Sequence, residues 1–181
     1  MTSISDQELS KKFVTKSTRE EAFQEIVQLY KERLYWHIRR IVYSHDDTDD
    51  LLQNTFVKVW EKADSFSQKS SLFTWVYRIA TNEALQSLRK KKRLFMSIDD
   101  VSEQLYTSHS ADFSLSADEI EHSLYKAIAT LPNQQKLVFQ MRYFDELKYE
   151  EISKVLNVSV GSLKASYHLA VKKIEKSLQT I

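Results

Sequence analysis

Apolar residues recur every three or four positions along most of the chain, which is the spacing of amphipathic α-helices. In the first half this pattern predicts helices over residues 18–41, 49–63 and 71–93, the first of them either unbroken or bent near Lys31. In the second of these helices it places Leu52, Phe56, Val59 and Trp60 toward the core. The polar residues 1–17 that precede them are predicted to form a flexible tail. No segment alternates apolar and polar residues in the manner of a strand, so the pattern favours an all-α fold.

The second half begins with a predicted helix that ends near Leu131, and Pro132 opens the next one. Residues 149–176 then predict two helices joined by a tight turn. Asn157 stands at the turn, because asparagine tolerates left-handed backbone, and Ser159 is a natural N-cap for the second helix. A short helix, a turn and a capped second helix are typical of a helix-turn-helix, whose second helix enters the major groove of DNA.

Between the two halves, residues 94–117 have scattered apolar residues without periodicity, which predicts a flexible linker. Residues 1–93 have 17 Lys and Arg against 13 Asp and Glu, a net of +4, and residues 118–181 have nine against eight, a net of +1. The charges therefore divide the chain into a basic helical domain, an acidic linker and a second helical domain with a basic end. The linker has no basic residue and four acids, Asp99, Asp100, Glu103 and Asp112.

Composition supports this organisation and excludes several classes of function. The 181 residues include one glycine and one proline, as expected of an all-helical chain, and 42% are hydrophobic, which is enough for buried cores. The absence of cysteine excludes zinc fingers, disulfides and thiol catalysis. No segment has the apolar length of a membrane span and the N-terminus has no signal-peptide core, so a cytoplasmic location is expected.

Candidates for catalysis or metal binding are few. Asp49 and Asp50 are adjacent acids, but carboxylates in a first helical turn suit the helix dipole, and no further ligand stands at a suitable spacing. The five histidines are scattered without zinc-site spacing. We therefore expect neither an enzyme nor a bound cofactor.

The outward face of the last helix is the main candidate for DNA contact. Glycine inside a helix costs stability, so Gly161 indicates either close approach of another surface, such as a DNA backbone, or a surface turn without a special role. Leu169 is the apolar member of this face, and it contacts either a thymine methyl group or, as we favour, a protein partner. The candidate DNA contacts on this face are Gly161, Ser162, Lys164, Ala165, His168 and Lys172.

The helix predicted over residues 71–93 has a second polar face, which ends in five consecutive basic residues at 89–93. This basic end either complements the helix dipole or helps to form a surface for single-stranded nucleic acid. The polar face comprises Arg78, Thr81, Asn82, Gln86 and Arg89.

Taken together, the two halves resemble the small bacterial sigma factors of the extracytoplasmic-function (ECF) type. Three stretches carry the resemblance: DDLLQNTFVKVWEKADSF, FTWVYRIATNEALQSLRKKKR and LPNQQKLVFQMRYFDELKYEEISKVLNVSVGSLKASYHLA. The resemblance implies a region 2-like domain at residues 18–93, the acidic linker at 94–117 and a region 4-like helix-turn-helix domain at 118–181. Such proteins bind core RNA polymerase and direct it to promoters, and an anti-sigma factor is an expected further partner.

The resemblance also implies partners for particular residues. The clamp helices of the polymerase β′ subunit would dock on Asp49, Asp50, Gln53, Asn54 and Val57. The minus-ten promoter element would contact Phe66, Lys69, Ser70, Arg78, Asn82 and Arg89. The second domain would bind the minus-thirty-five element and the flap of the β subunit, and the linker carboxylates would mimic phosphates in the nucleic-acid channel of the polymerase.

The chain departs from the family pattern at three places. Residues 67–69 replace a usual glycine and acid, Ala165 and Leu169 stand where arginines are common, and Lys148 replaces a small hydroxyl cap. These changes bear on the promoter sequence more than on the function. The alternative function is a stand-alone helix-turn-helix regulator with an N-terminal sensor or dimerisation domain, and a stoichiometric complex with core polymerase in gel filtration would exclude it.

Overall fold

The computed structural model describes residues 5–94 and 119–179, whose regular structure consists of eight α-helices and one short 3-10 turn. The first group contains α1 (Asp6–Val14), α2 (Arg19–Val42), α3 (His45–Glu61), the 3-10 turn (Ala63–Ser65) and α4 (Leu72–Leu94). The second group contains α5 (Glu119–Ala129), α6 (Asn133–Tyr143), α7 (Tyr149–Leu156) and α8 (Val160–Leu178). The prediction of an all-α fold with two helical domains is confirmed for the described residues.

Helices α2, α3 and α4 pack against one another around a shared apolar core. The first of them is a single unbroken helix. Helix α3 begins four residues earlier than predicted, because the Ser44 hydroxyl accepts a hydrogen bond from the Asp47 N–H at 3.3 Å and so caps the helix before His45. The fully buried apolar residues of this core include Ile26, Leu34, Ile38, Val59, Leu72 and Val76.

Residues 5–14 do not form the predicted flexible tail, and that prediction is wrong. Asp6–Val14 is helix α1, and Leu9 and Phe13 on one of its faces are fully buried. Two apolar residues four positions apart are too few for a clear periodic pattern, yet they suffice to hold a helix where neighbouring helices offer an apolar groove. The first domain therefore extends to α1.

The second group has a small core of its own, to which α5, α6 and α8 contribute. Other residues of this group belong to the same continuous core as α1–α4, since α7 packs against α4 and α6 against α2. The two groups are thus in contact in this structure. The predicted linker and its four acids lie outside the described residues, except for residue 94. The domain limits at 94–117 therefore stay a prediction. The buried residues that join the two groups are Val138, Met141, Leu147, Ile152, Val155 and Leu163.

Candidate nucleic-acid interface

The turn between α7 and α8 has the geometry that the sequence predicts. Asn157 adopts left-handed backbone with φ 55° and ψ 44°, and the Ser159 hydroxyl accepts a hydrogen bond from the Ser162 N–H at 3.3 Å. The Glu151 carboxylate accepts a hydrogen bond from the Lys148 N–H at 2.8 Å. Glu151 therefore contributes to the start of α7 where the small hydroxyl cap is absent.

The outward face of α8 is open to solvent. Lys164 lies at one flank of this face, where its ammonium group is 5.8 Å from the centre of the Tyr149 ring. Apart from its two chain neighbours and the adjacent backbone of α8, no atom of the described residues comes within 4 Å of the position that a Cβ of Gly161 would take, so packing inside the chain does not require glycine there. Leu169 is 48% exposed. The predicted contacts that the structure brings together as exposed residues are Gly161, Ser162, Lys164, Ala165, His168 and Lys172.

The loop between the 3-10 turn and α4 presents only part of its predicted contacts. Lys69 is exposed and Ser70 is half-buried, and Gln68 at the apex has a left-handed φ of 56°. Phe66 is 3% exposed, because its ring packs 5.1 Å from that of Trp75. The predicted DNA contact of Phe66 is therefore corrected to a supporting role beneath the loop. Packing against Trp75 removes far more apolar surface of the Phe66 ring from water than a position in a solvated loop would.

Helix α4 exposes Arg78, Asn82 and Arg89 along one side, as predicted. Thr81 was predicted on the same face, but it is buried; its hydroxyl donates to the Tyr77 carbonyl at 2.8 Å and lies 2.9 Å from His37 Nε2. A helix face predicted to be polar is thus partly closed where α2 packs against it.

Part of the basic end of α4 is already paired within the chain. Lys91 donates to the carboxylate of Asp47 at the start of α3. Burial alone would raise the pKa of Asp47, but the hydrogen bonds from Lys91 and Ser44 outweigh it and lower the pKa below its ordinary value. This ion pair joins the two helices that carry the candidate polymerase and minus-ten faces.

Helix α3 presents the predicted polymerase face to solvent, opposite its buried residues. Val57 is 49% exposed at the C-terminal end of this face. Trp60, which the pattern placed toward the core, is 43% exposed and contacts Phe23 edge-on, with ring centres 5.2 Å apart. The exposed residues of the face are Asp49, Asp50, Gln53, Asn54 and Val57.

A buried polar cluster joins the two helical groups, and sequence reasoning missed it. The carboxylate of Asp145, in the turn after α6, contacts His37 Nδ1 at 2.8 Å and the guanidinium of Arg40. The Asp145 carbonyl accepts a hydrogen bond from Arg33 Nη2 at 3.0 Å, and the Gln140 amide donates to the Arg40 carbonyl at 3.0 Å. We call these five residues the Asp145 cluster.

The electrostatics of the Asp145 cluster favour an ionised carboxylate. The Asp145 side chain is 1% exposed, and burial alone would raise its pKa. The charges and hydrogen bonds of His37 and Arg40 outweigh burial and lower the pKa below the ordinary value of 3.8. Burial and the neighbouring Asp145 raise the pKa of the Tyr77 hydroxyl. The one sequence signal was the basic stripe at positions 33, 37 and 40 of α2, a spacing that places all three on one helix face.

Within residues 5–94 and 119–179, no group of three or more His, Cys, Asp or Glu side chains is placed to hold a metal ion. In the same ranges, no helix is both long enough and apolar enough to cross a membrane.

Comparison with known proteins gives matches over both helical groups. Residues 26–94 match the family model of sigma-70 region 2, and residues 121–174 match that of sigma-70 region 4. Over 171 residues the chain is 30% identical to the ECF RNA polymerase sigma factor SigW of Bacillus subtilis, which covers 90% of this chain and 91% of SigW. It is 28% identical to the ECF RNA polymerase sigma-E factor of Escherichia coli K12 over 171 residues, 90% of this chain and 89% of that protein.

Two solved structures share the fold. The sigma factor RpoE in complex with the anti-sigma factor NepR from Bartonella quintana superposes with a TM-score of 0.68 at 22% identity, over 87% of this chain and 96% of RpoE. CnrH in complex with the cytosolic domain of CnrY superposes with a TM-score of 0.71 at 21% identity, over 97% of each chain.

Proposed function

Because the chain belongs to the extracytoplasmic-function sigma factors of RNA polymerase, we propose that its exposed polar faces divide the contacts of transcription initiation among them. A sigma factor binds core RNA polymerase and directs it to promoters, and it is not an enzyme. The stand-alone regulator is not favoured, because both sigma regions match within this one chain and an ECF sigma factor aligns over 90% of it. The observation that carries the proposal is the exposure of three separate polar faces, on α3, α4 and α8.

In this proposal residues 18–93, extended by α1, form the region 2 domain that binds polymerase and the minus-ten element. Residues 118–181 form the region 4 domain that binds the minus-thirty-five element and the β flap, and residues 94–117 connect them. The protein acts in the cytoplasm, where the polymerase is.

The α3 face docks on the clamp helices of the β′ subunit. Asp49 and Asp50 supply negative charge at one end of the face, and Gln53 and Asn54 supply amide groups that can both donate and accept hydrogen bonds. Val57 adds an exposed apolar side chain at the other end of the face, where burial against a partner would remove it from water.

Replacing Gln53 and Asn54 together by alanine is expected to weaken binding to core polymerase about thirtyfold, because two interface hydrogen bonds of about 1 kcal/mol each are lost. A titration of fluorescently labelled protein with core enzyme measures this. The matched control is Asn82→Ala, which removes the same amide from α4: it is expected to bind core normally and to lower open-complex formation, read by permanganate reactivity. An unchanged affinity of the double variant for core polymerase would contradict the assignment of the α3 face to polymerase binding.

The minus-ten element contacts the loop before α4 and the exposed side of α4. Lys69 and Arg89 offer charge to the phosphates, whereas Ser70, Arg78 and Asn82 offer hydrogen bonds to exposed bases. Phe66 supports this surface from below without touching DNA. The minus-thirty-five element contacts the outward face of α8 through the residues from Gly161 to Lys172.

On α8 we expect phosphate contacts and base contacts to respond differently to substitution. Lys164→Ala should weaken binding to all sequences alike and lower the slope of log affinity against log salt by roughly one unit. His168→Ala should instead relax discrimination at one or two base pairs, by about 1–3 kcal/mol for a good contact. Binding-site selection and salt titration on a duplex minus-thirty-five site measure both effects.

The matched control for Lys164 is Lys173→Ala, which removes the same charge from the opposite flank of α8. This variant should keep the salt slope of the original chain. Equal salt slopes in the two lysine variants would mean that the net charge of the protein, rather than a phosphate contact of Lys164, determines its affinity for DNA.

An anti-sigma factor completes the proposed set of partners. RpoE of Bartonella quintana was solved with an anti-sigma factor and CnrH with the cytosolic domain of CnrY. In this chain, the exposed Leu169 on an otherwise polar face is the apolar residue that we assign to such a partner rather than to DNA.

A further inference from the structure

Helix α1 lies ahead of both matched regions, since the region 2 match begins at residue 26. It packs mainly against α2 and also contacts α4 and the 3-10 turn. The contacts at α4 and at the 3-10 turn hold the two ends of the polar loop at residues 67–70, which connects these two elements.

The upstream end of the loop is held by Phe13 and Arg19. The buried Phe13 ring lies 6.4 Å from the ring of Phe66, the residue at which the loop begins. The Arg19 guanidinium donates to Asp64 Oδ1 at 2.7 Å and to the Phe13 carbonyl at 3.1 Å. A single side chain thus connects the C-terminal end of α1 to the 3-10 turn.

The downstream end of the loop is held by Asp6. Its carboxylate accepts hydrogen bonds from the N–H groups of Leu72 at 3.0 Å and Phe73 at 3.1 Å, the first two residues of α4. The Tyr30 hydroxyl donates to the same carboxylate at 3.0 Å. The free N–H groups at a helix start are usually capped by a neighbouring residue, but here the cap is 66 residues distant in the chain.

Ser71 completes this helix start. Its hydroxyl accepts from the Thr74 N–H at 3.1 Å, and its carbonyl accepts from the Trp75 N–H at 3.1 Å. The N–H groups of residues 72–75 are therefore all paired, two of them by Asp6. Between the two fixed ends, residues 67–69 are exposed, and Gln68 keeps a left-handed backbone that a non-glycine residue adopts at a cost.

We propose that α1 is a clamp that pre-organises the minus-ten loop, and that Asp6 is the positioning residue of this clamp. A loop held at both ends in its binding geometry loses less conformational entropy when it binds DNA. The inference rests on the proposed contact of this loop with the minus-ten element. It adds that the N-terminal helix, which touches neither DNA nor the α3 face in this scheme, sets the efficiency of promoter opening.

The test uses the full chain with core polymerase and compares Asp6→Ala, which removes both bonds to α4, with Asp6→Asn, which keeps one acceptor oxygen. Hydrogen exchange of residues 66–75 reports on the clamp itself. Open-complex formation on a duplex promoter shows whether the clamp affects promoter opening. The affinity for core polymerase shows whether the rest of the domain is intact. The matched control is Ser44→Ala, which removes a cap of the same kind from α3.

Asp6→Ala is expected to raise exchange at residues 66–75 and to lower open-complex formation about five- to tenfold, the size of one lost helix cap. Core affinity should remain unchanged, Asp6→Asn should lie in between, and Ser44→Ala should leave exchange at residues 66–75 as it was. A purely structural role would instead lower core affinity and promoter opening together, as any destabilised variant does, and that result overturns the proposal. Unchanged exchange at residues 66–75 in Asp6→Ala also overturns it.

The Asn82→Ala variant separates failure of this inference from failure of the proposed function. If Asn82→Ala lowers promoter opening while Asp6→Ala does not, the clamp is wrong and the minus-ten assignment stands. If neither variant lowers opening, the minus-ten assignment of this surface is wrong, and the clamp inference that rests on it is overturned too.

Discussion

Replacing Asp145 by alanine is expected to separate the two helical groups of the molecule. The substitution leaves His37 and Arg40 without their carboxylate in a buried place, where removing one partner of an ion pair costs about 3–5 kcal/mol. The second group has its own core of Ala127, Ile128, Leu131, Phe139, Ala170 and Ile174. The lost energy therefore falls on the contact between the groups rather than on the fold of either one.

Small-angle X-ray scattering measures this separation. A compact chain of 181 residues has a radius of gyration of about 16 Å, and the variant should exceed this value clearly. Asp64→Ala is the matched control, because it removes an acid from the ion pair with Arg19, which lies wholly within the first group. An unchanged radius for Asp145→Ala would show that apolar packing between α4 and α7 alone maintains the contact.

The same contact should depend on pH. Because the pKa of Asp145 is lowered in the folded chain, its contribution is fully present above the ordinary value of 3.8 and is lost as the pH falls through the lower, folded value. The groups should therefore separate on acidification below about pH 4. Asp145→Asn removes the titrating group, so it should abolish this part of the pH dependence while general acid unfolding remains.

The contact between the groups bears on promoter recognition. The minus-ten and minus-thirty-five elements lie about 25 base pairs apart, roughly 85 Å along B-DNA. A compact chain of this length is roughly 40 Å across. On the proposed assignments of α4 and α8, we therefore expect the two groups to separate when both elements are bound.

Replacing Phe13 by alanine is expected to lower the free energy of unfolding of the first domain by about 3–5 kcal/mol, the usual cost of emptying a fully buried aromatic site. For a chain of this size the melting temperature should fall by roughly 6–20 °C. Thermal unfolding followed by circular dichroism measures the shift. The ring contacts both Phe66 and Trp75, so its loss also leaves a cavity beneath the minus-ten loop.

Lys11→Ala is the control for Phe13, since Lys11 is an exposed residue of the same helix and should change stability by less than about 0.5 kcal/mol. If the two variants melt at the same temperature, α1 does not pack in solution as described, and residues 5–14 behave as the tail that their polar composition predicts.

The helix-turn-helix was predictable because its signals are local. The left-handed Asn157, the Ser159 cap and the apolar stripe of α8 follow from residues within one or two turns of each other. The outward faces of α3 and α8 were predictable for the same reason, since helical periodicity alone places them opposite the buried stripe. Trp60 shows the limit of this reasoning, because it lies at the border of the stripe and stays 43% exposed although Phe23 of α2 contacts its ring.

The family of this protein, its all-α class and the order of its helices follow from the sequence by itself. Periodicity, capping residues and motifs all depend on residues that are close together in the chain. The tertiary structure alone decided that α1 is part of the first domain, that Phe66 lies beneath its loop, and that Thr81 is buried. It alone brought Asp145 to His37 across 108 residues and Asp6 to the start of α4 across 66. Such contacts depend on how whole helices pack in space, and no local periodicity specifies which distant side chain fills a groove or caps a helix.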